Sequence, residues 1–249
     1  MSGHSKWATI KHKKAATDAK RGKIFTRLIR EIQIAARHGG GDPDANPRLR
    51  TAITAAKAQS MPQDNIKRAI LRGAGGLEGE SLEEITFEGY GPAGVAVFVE
   101  TVTDNRNRTV SELRHMFSKN GGNLGENGCV AYMFDRKSLI TVPKSAIGED
   151  ALMEAALGAG ADDMQDEDEN WVVVSAYTAH DQVLTALQGL GIEPESAELG
   201  RVPQVTVKLE GKQAASVLRM IEAIEEQDDV QNVFANFEID DEELEKLSA

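Results

Sequence analysis

The chain has 249 residues, enough for two or three domains, and its 41% hydrophobic and 27% charged residues are the composition of a folded protein rather than a disordered one. A single cysteine excludes a disulfide framework and a cysteine-based zinc site, and it fits a reducing compartment. No apolar stretch approaches the roughly 18 residues that a membrane span needs, and no apolar segment follows the basic N-terminus as in a secretory signal. We therefore expect a cytoplasmic protein without a membrane partner.

The net charge of −12 is divided unevenly along the chain. Residues 1–78 hold 16 Lys and Arg against 6 Asp and Glu, a net charge of +10, whereas the remaining residues hold 12 against 34, a net charge of −22. A basic segment joined to an acidic remainder predicts a module for a polyanion such as nucleic acid. A basic helical face that is merely solvated is the alternative interpretation.

The first predicted helix lies in this basic segment. Between Gly22 and Arg37, basic residues recur on one side of a helical wheel and apolar residues on the other, which is typical of a surface helix with one buried stripe. The glycines at 39–41 end it. A phosphate cradle at these glycines is not favoured, because they follow a helix rather than a strand and lack the Lys-Ser/Thr pair of a P-loop.

Two shorter helices are predicted next. One begins at Asn46-Pro47, an N-cap candidate followed by a proline at the first helical position, and runs to about Ser60. The other begins near Pro62, where Ser60 and Gln63 have the spacing of a capping box, and ends at Gly73. The predicted domain at 1–78 is therefore all-helical.

Beyond residue 78, short strands alternate with helices, so the fold class is predicted to be multidomain α+β. We expect the N-terminal all-helical domain to be followed by two α+β domains of ferredoxin-like type, one inserted in the other. The discontinuous domain is assigned to residues 79–135 plus 203–240, the inserted domain to 136–202, and an acidic tail to 241–249. Within these regions Val130–Phe134 and Leu139–Val142 are predicted as strands joined by a turn at Asp135-Arg136, and the acidic run at 162–169 as a solvated turn.

The sequence carries no recognised catalytic pattern. It lacks the G-x-S-x-G of hydrolases, the H-E-x-x-H of zinc proteases, the P-loop and a strand-led G-x-G-x-x-G. The five histidines have no ligand spacing, and the acidic run lacks the central glycine and closing glutamate of a calcium loop. The chain is therefore predicted to be no enzyme and to hold no metal and no cofactor.

The dense cations near the N-terminus are the first candidate site. Between Lys6 and Lys23, the single acid is Asp18, and such a density attracts phosphate backbones. His12 and Trp7 are interleaved and could stack on a base, although Trp7 could equally anchor the arm on the helices. The candidate residues here are Lys6, Lys11, His12, Lys13, Lys14, Lys20, Arg21, Lys23, Arg27 and Arg30.

A second candidate site is the segment Asp104–Thr109, which follows an apolar strand and opens a helix. Arg106 and Arg108 would lie near a helix N-terminus, where an anion is favoured, and they add to the nucleic-acid-binding set. Capping chemistry is the alternative interpretation of this segment, and turn chemistry that of the glycine-rich stretch Gly121–Gly125.

Several strings together resemble the YebC family. They are Gly3-His4-Ser5-Lys6-Trp7, Lys11-His12-Lys13-Lys14-Ala15, Arg21-Gly22-Lys23-Ile24-Phe25, Gly39-Gly40-Gly41-Asp42-Pro43, Asn46-Pro47-Arg48-Leu49-Arg50, Glu88-Gly89-Tyr90-Gly91-Pro92, Asp104-Asn105-Arg106-Asn107-Arg108-Thr109, Phe117-Ser118-Lys119, Gly121-Gly122-Asn123-Leu124 and Ala155-Ala156-Leu157. The similarity extends over nearly the whole chain. The acidic run and the tail match in character alone.

This resemblance implies a cytoplasmic three-domain protein with a helical N-terminal domain and two α+β domains. It implies a non-enzymatic transcriptional regulator that binds DNA. Mitochondrial relatives are similar to translational activators, and bacterial members have been linked to ribosomes that stall at proline-rich sequences. Two hypotheses therefore stand: a DNA-binding transcriptional regulator, and a ribosome-associated translation factor that binds ribosomal or transfer RNA.

Overall fold

The computed structural model describes residues 18–76, 81–167, 169–240 and 242–244, with side chains from Gly22 onward. Its internal contacts form two compact units: the first runs up to Ala131 and resumes at Val207, and the second is Tyr132–Thr206. Helices and antiparallel sheets occur together, and the helical region comes first, so the predicted α+β class is confirmed. The three-domain boundaries stay a prediction.

The first unit begins with three helices, α1 (Asp18–Gly39), α2 (Pro47–Ala58) and α3 (Gln63–Gly73). The predicted N-cap of α2 is confirmed, because Asn46 Oδ1 accepts a hydrogen bond of 3.1 Å from the amide of Leu49. The side-chain amide of Asn46 also donates to the carbonyl oxygen of Ala35 at 2.8 Å. One buried side chain therefore starts α2 and ties it to α1.

The three helices share a small apolar core. Its buried members come from all three helices and from the turn between α2 and α3: Ile32, Ala35, Ala36, Leu49, Ala52, Ala56, Met61, Ile66 and Ala69. Gly73 lies so close to α1 that a Cβ atom there would stand 2.2 Å from the carbonyl oxygen of Gln33. A residue larger than glycine would therefore push α3 away from α1.

The predicted capping box of α3 is wrong. The residue at the N-cap position is Pro62, which makes no side-chain capping hydrogen bond. Ser60 lies in the preceding turn, with a φ of 58° in the left-handed region. Its hydroxyl is therefore part of a turn between helices rather than of a helix start.

The rest of the first unit is a sheet with helices. Its elements are β1 (Glu83–Tyr90), β2 (Ala96–Thr103), α4 (Arg106–Lys119), β3 (Asn123–Leu124), β8 (Val207–Lys208), α7 (Gly211–Glu225), β9 (Val230–Ala235) and β10 (Phe237–Glu238). The main sheet has the order β3-β1-β2-β9 with antiparallel neighbours, and β8 and β10 form a separate parallel pair. Apolar side chains of the sheet pack with Leu113 and Phe117 of α4 and with Val217 and Ile221 of α7.

The second unit has the element order β4 (Phe134–Pro143), α5 (Glu149–Gly158), β5 (Ala161–Glu167), β6 (Asn170–Ala176), α6 (His180–Gly189) and β7 (Ser196–Pro203). Its four strands lie in the order β5-β6-β4-β7, and all neighbours are antiparallel. A separate core of buried residues, including Ile140, Leu152, Val173 and Leu187, lies between the sheet and its helices.

Two local predictions in this region are wrong. The segment Val130–Phe134 is no strand: residues 131–133 form a 3₁₀ turn, and β4 continues from Phe134 through the predicted turn at Asp135-Arg136. The acidic run at 162–167 is edge strand β5, not a turn. Charged residues are tolerated at both places because strand side chains alternate between faces and several of these point to solvent.

None of the helices within the described ranges is both long enough and apolar enough to cross a membrane.

Candidate functional site

Part of the predicted basic site lies outside the described residues. These positions are Lys6, Lys11, His12, Lys13 and Lys14. Lys20 and Arg21 belong to the first turns of α1, where the backbone alone is described.

The remaining predicted cations of α1 contact the end of α7. Lys23 Nζ donates to the carbonyl oxygen of Glu226 at 2.8 Å, and the guanidinium groups of Arg27 and Arg30 donate to the carbonyl oxygens of Glu225 and Asp228. The last carbonyls of a helix have no partner within the helix, and the helix dipole places partial negative charge there. The basic side of α1 therefore binds a helix C-terminus within the same unit.

Arg27 is partly buried. Burial lowers its pKa, and the neighbouring carboxylates of Glu225 and Asp228 act in the opposite direction. A buried guanidinium loses hydrogen bonds to water, and here the hydrogen bond to the carbonyl oxygen of Glu225 compensates for that loss.

Asp229, which follows α7, lies at the centre of a buried polar cluster with 1% of its surface exposed. Its carboxylate accepts hydrogen bonds from Arg30 (2.8 Å) and Arg108 (2.9 and 3.0 Å). The hydroxyl of Thr109 (2.7 Å) and the side-chain amide of Gln227 (3.1 Å) also donate to it. The cluster therefore joins α1, the start of α4 and the segment that leads into β9.

The electrostatics of Asp229 follow from these contacts. Burial by itself would raise the pKa of the carboxyl group, but hydrogen bonds from Thr109, Arg108 and Gln227 and the charge of Arg30 outweigh it. Together they lower the pKa of Asp229 from 3.8 to about 2. The group is therefore a carboxylate under all ordinary conditions, and its charge is part of the fold.

The two arginines of the second candidate site have different surroundings. Arg108 binds Asp104 at 2.7 Å as well as Asp229, and these hydrogen bonds raise its pKa. Arg106 is exposed and has no hydrogen bond or ion pair with any residue that the structure describes. Asn105 caps α4 by accepting from the amide of Arg108 at 3.1 Å. The segment is a helix cap, and Arg106 is its accessible cation.

The glycine-rich stretch after α4 is used for close backbone approach. A Cβ atom on Gly122 would lie 2.6 Å from the carbonyl oxygen of Tyr90, and one on Gly89 would lie 2.5 Å from that of Asn123. The glycines thus allow β3 to pair with the end of β1.

Sequence reasoning missed a second set of cations, on α2 and α3. Lys57, Lys67, Arg68 and Arg72 are exposed, and none of them has an ion-pair partner among residues 22–76, 81–167, 169–240 and 242–244. The signal was present in the sequence, because Lys67 and Arg68 lie on the side of the helical wheel away from the buried Ile66 and Ala69, and Arg72 lies about 40° from Arg68.

Two further buried polar groups have structural roles. The carboxylate of Glu88, 4% exposed, accepts hydrogen bonds of 2.7 Å from the amides of Gly128, Val130 and Ala131, and so fixes that loop. In the second unit, Ser138 Oγ lies 2.8 Å from Nδ1 of His180, and both side chains are buried.

Burial sets the electrostatics of the His180 pair. Burial lowers the pKa of His180, although Asp181 acts in the opposite direction. Ser138 is fully buried and His180 is 6% exposed, so the pair is part of the interior of the second unit. In the part of the chain that the structure describes, no three His, Cys, Asp or Glu side chains are grouped so that they could hold a metal ion.

The chain matches two family models. Residues 5–76 match the TACO1/YebC protein N-terminal domain, and residues 82–237 match the TACO1/YebC second and third domain. The first match includes helices α1 to α3, and the second includes strands β1 to β9.

Full-length relatives occur in several bacteria. A protein of Geobacter sp. (strain M21) is 60% identical over 247 residues, which is 99% of this chain and 100% of the relative. One of Solibacter usitatus is 61% identical over the full length of both chains, and one of Acidobacterium capsulatum is 62% identical over 96% of this chain and 97% of the relative. All three carry the name "probable transcriptional regulatory protein".

A solved structure is also similar. The crystal structure of a conserved hypothetical protein from Aquifex aeolicus superposes with a TM-score of 0.84 at 50% sequence identity and covers 90% of this chain and 93% of its own.

Proposed function

Because the chain belongs to the TACO1/YebC family, we propose that it regulates gene expression by binding nucleic acid and that it catalyses no reaction. More specifically, we propose that it is a transcriptional regulator that binds DNA; transcriptional regulation is the role in the names of its bacterial relatives. The cytoplasm is the proposed compartment, where the nucleic acids of a bacterial cell are found.

The observation that carries the proposal is the division of charge. A net charge of +10 on residues 1–78 favours contact with phosphate groups in that part of the chain, and the net charge of −22 on the remainder disfavours such contact over most of the other surface. Phosphate contacts position a protein on nucleic acid without reading its sequence.

The cations of the predicted site divide into two roles. We assign phosphate contacts to Lys6, Lys11, His12, Lys13, Lys14, Lys20, Arg21 and Arg106. Lys23, Arg27, Arg30 and Arg108 are positioning residues in this proposal, because each already donates to a carbonyl or carboxylate oxygen of the same unit. They would hold α1 and the start of α4 where the accessible cations can act.

A ribosome-associated translation factor is the second candidate. The observation in its favour is again the net charge of −22 on the residues after 78. Long duplex DNA would repel these residues, whereas a binding site on a folded RNA could contact the basic residues and leave the acidic ones outside. Ribosomal or transfer RNA would then be the partner, and relief of stalls at proline-rich sequences the activity.

Gradient sedimentation of a native lysate distinguishes the two. DNase-sensitive association away from ribosomes, together with binding of duplex DNA by the purified chain, supports the transcriptional role. Co-migration with ribosomes that RNase abolishes supports the translational role. Migration as free protein before and after both nuclease treatments contradicts both.

We also propose the ferredoxin-like arrangement for Tyr132–Thr206. Its βαββαβ order and the strand order β5-β6-β4-β7, with the first and third strands in the centre, support this assignment. The proposed inserted domain, predicted at 136–202, lies within this unit.

A further inference from the structure

We propose that α2, the turn at residues 59–62 and α3 form a helix-turn-helix unit that binds duplex DNA, with α3 as the helix that contacts the duplex. The inference rests on the proposed function, which it makes specific by naming the element and the partner. None of the residues of the predicted basic site lies in α2 or α3.

The connection between the helices has the length that such a unit requires. A helix-turn-helix joins two helices by a turn of three or four residues that often contains a glycine. Here α2 ends at Ala58, α3 begins at Gln63, and Ser60 between them takes the left-handed conformation that favours glycine. Met61, 5% exposed, anchors the turn in the core that both helices share with α1.

The outer face of α3 is cationic and unpaired. Lys67, Arg68 and Arg72 are exposed, and none has a hydrogen-bond or ion-pair partner among the described residues. We call these three residues the α3 basic face. Like charges four residues apart, as at Arg68 and Arg72, destabilise a helix by about 0.2–0.5 kcal/mol, so the fold alone gives no reason for this arrangement. The single acid of α3 is Asp64, in its first turn, where the helix dipole favours a carboxylate.

The scaffold holds this face in a fixed position. Ile66 and Ala69 on the opposite side are buried, and the close contact of Gly73 with the backbone of Gln33 fixes the C-terminal end of α3 against α1. A contact surface on a rigid element loses little conformational entropy on binding.

The chemistry of the face selects the partner. Its one large apolar side chain is Leu71, 51% exposed, which is too little apolar surface for insertion into a membrane. Three cations around it complement phosphate groups. In helix-turn-helix proteins the second helix enters the major groove of a duplex. On α1, by contrast, the end of α7 and the turn after it accept hydrogen bonds from Lys23, Arg27 and Arg30. Duplex DNA is therefore the partner to which we commit.

The test uses the purified full-length chain and a variant with Lys67→Ala, Arg68→Ala and Arg72→Ala. The matched control, with Lys119→Ala, Lys212→Ala and Arg219→Ala, removes the same number of exposed charges from α4 and α7. Affinity is measured by fluorescence anisotropy over a range of salt concentrations. The probes are a short mixed-sequence DNA duplex, a single-stranded RNA of the same sequence, and phosphatidylglycerol vesicles.

We expect the α3 variant to bind the duplex at least about tenfold more weakly at moderate salt, with the slope of log K against log salt reduced by up to about 3. The control should stay within about twofold of the wild type, because its charges lie elsewhere on the unit. Circular dichroism checks that each variant is folded. A variant with glutamine at the same three positions, which keeps helix propensity and side-chain length, gives a second reading of the same effect.

Each other result overturns the inference. If the α3 and control variants lose duplex affinity equally, binding depends on net charge rather than on α3. If the α3 variant keeps the wild-type affinity, another surface binds the duplex. In both cases the proposed function stands. Wild-type binding to the RNA without the duplex favours the translational role and rejects the helix-turn-helix unit. Binding to the vesicles alone, or to no probe, rejects both proposals together.

Discussion

The Nη2 atom of Arg108 lies 2.9 and 3.0 Å from the two carboxylate oxygens of Asp229, a residue 121 positions later in the chain. Arg30 approaches the same carboxylate at 2.8 Å from α1. One buried negative charge thus holds two cations from separate parts of the sequence, and most of its remaining contacts come from hydroxyl and amide groups.

Replacing Asp229 by Asn is expected to lower the free energy of unfolding by about 3 kcal/mol, because it removes the buried partner of two cations and leaves their charge uncompensated. Urea denaturation at neutral pH measures the effect. Asp104→Asn is the matched control: Asp104 binds the same Arg108 at the surface, and its loss should cost less than about 1 kcal/mol. Equal effects of the two substitutions would contradict a central role for Asp229.

The same carboxylate should make stability depend on pH in acid. The pKa of Asp229 is about 2 in the folded chain against 3.8 for an unperturbed group, so the unfolded state binds the proton more readily. Its contribution, about 2 kcal/mol, is fully present above about pH 5 and is lost as the pH falls toward 2. The difference in unfolding free energy between wild type and Asp229→Asn should therefore shrink by that amount over this range. A difference independent of pH would show that Asp229 has an ordinary pKa.

Arg27→Ala should lower stability without weakening the binding of nucleic acid. Its guanidinium donates to a carbonyl oxygen at the end of α7, and loss of such a charged hydrogen bond costs about 1.5–3 kcal/mol. Thermal unfolding and duplex-binding anisotropy, measured on the same preparation, separate the two effects. Arg106→Ala, in contrast, should leave the melting temperature unchanged. If a folded Arg27→Ala variant binds the duplex more weakly than the wild type, Arg27 contacts nucleic acid and is no mere positioning residue.

Ser60→Gly is expected to raise the free energy of unfolding by about 1 kcal/mol, since glycine adopts the left-handed conformation at this turn without the steric cost of a side chain. Duplex binding should be retained because the turn keeps its geometry. Ala55→Gly, at an exposed position inside α2, is the control and should destabilise by about 1 kcal/mol. Thermal denaturation, monitored by circular dichroism, shows whether each substitution stabilises or destabilises the chain.

Local features of the fold could be predicted from the sequence. The wheel of α1 separates its apolar and basic sides correctly, and Asn46 caps α2 because its side chain satisfies an amide three residues away. Such effects operate within one or two turns of helix, so they leave a readable pattern. The α3 basic face has the same kind of pattern and was within reach of the same reasoning.

Tertiary contacts could not be predicted in this way. Nothing near Asp229 in the sequence indicates that Arg30 and Arg108 surround it, because the partners come from distant elements. For the same reason, the sequence of α1 does not indicate that its basic side chains donate hydrogen bonds to carbonyl oxygens at the end of α7. Strand β5 was missed because its acids are typical of a turn, whereas edge pairing with β6 permits charged side chains toward solvent.

The contact between α1 and the end of α7 also has a consequence for synthesis. Arg30 precedes Asp229 by 199 residues, so a ribosome that adds about 5–20 residues per second releases the helix roughly 10 to 40 s before its partner. Over that interval the three helices can form their own core, which uses residues up to Ala69. The cations that α7 later covers are meanwhile free on the nascent chain, next to the ribosomal RNA from which it emerges.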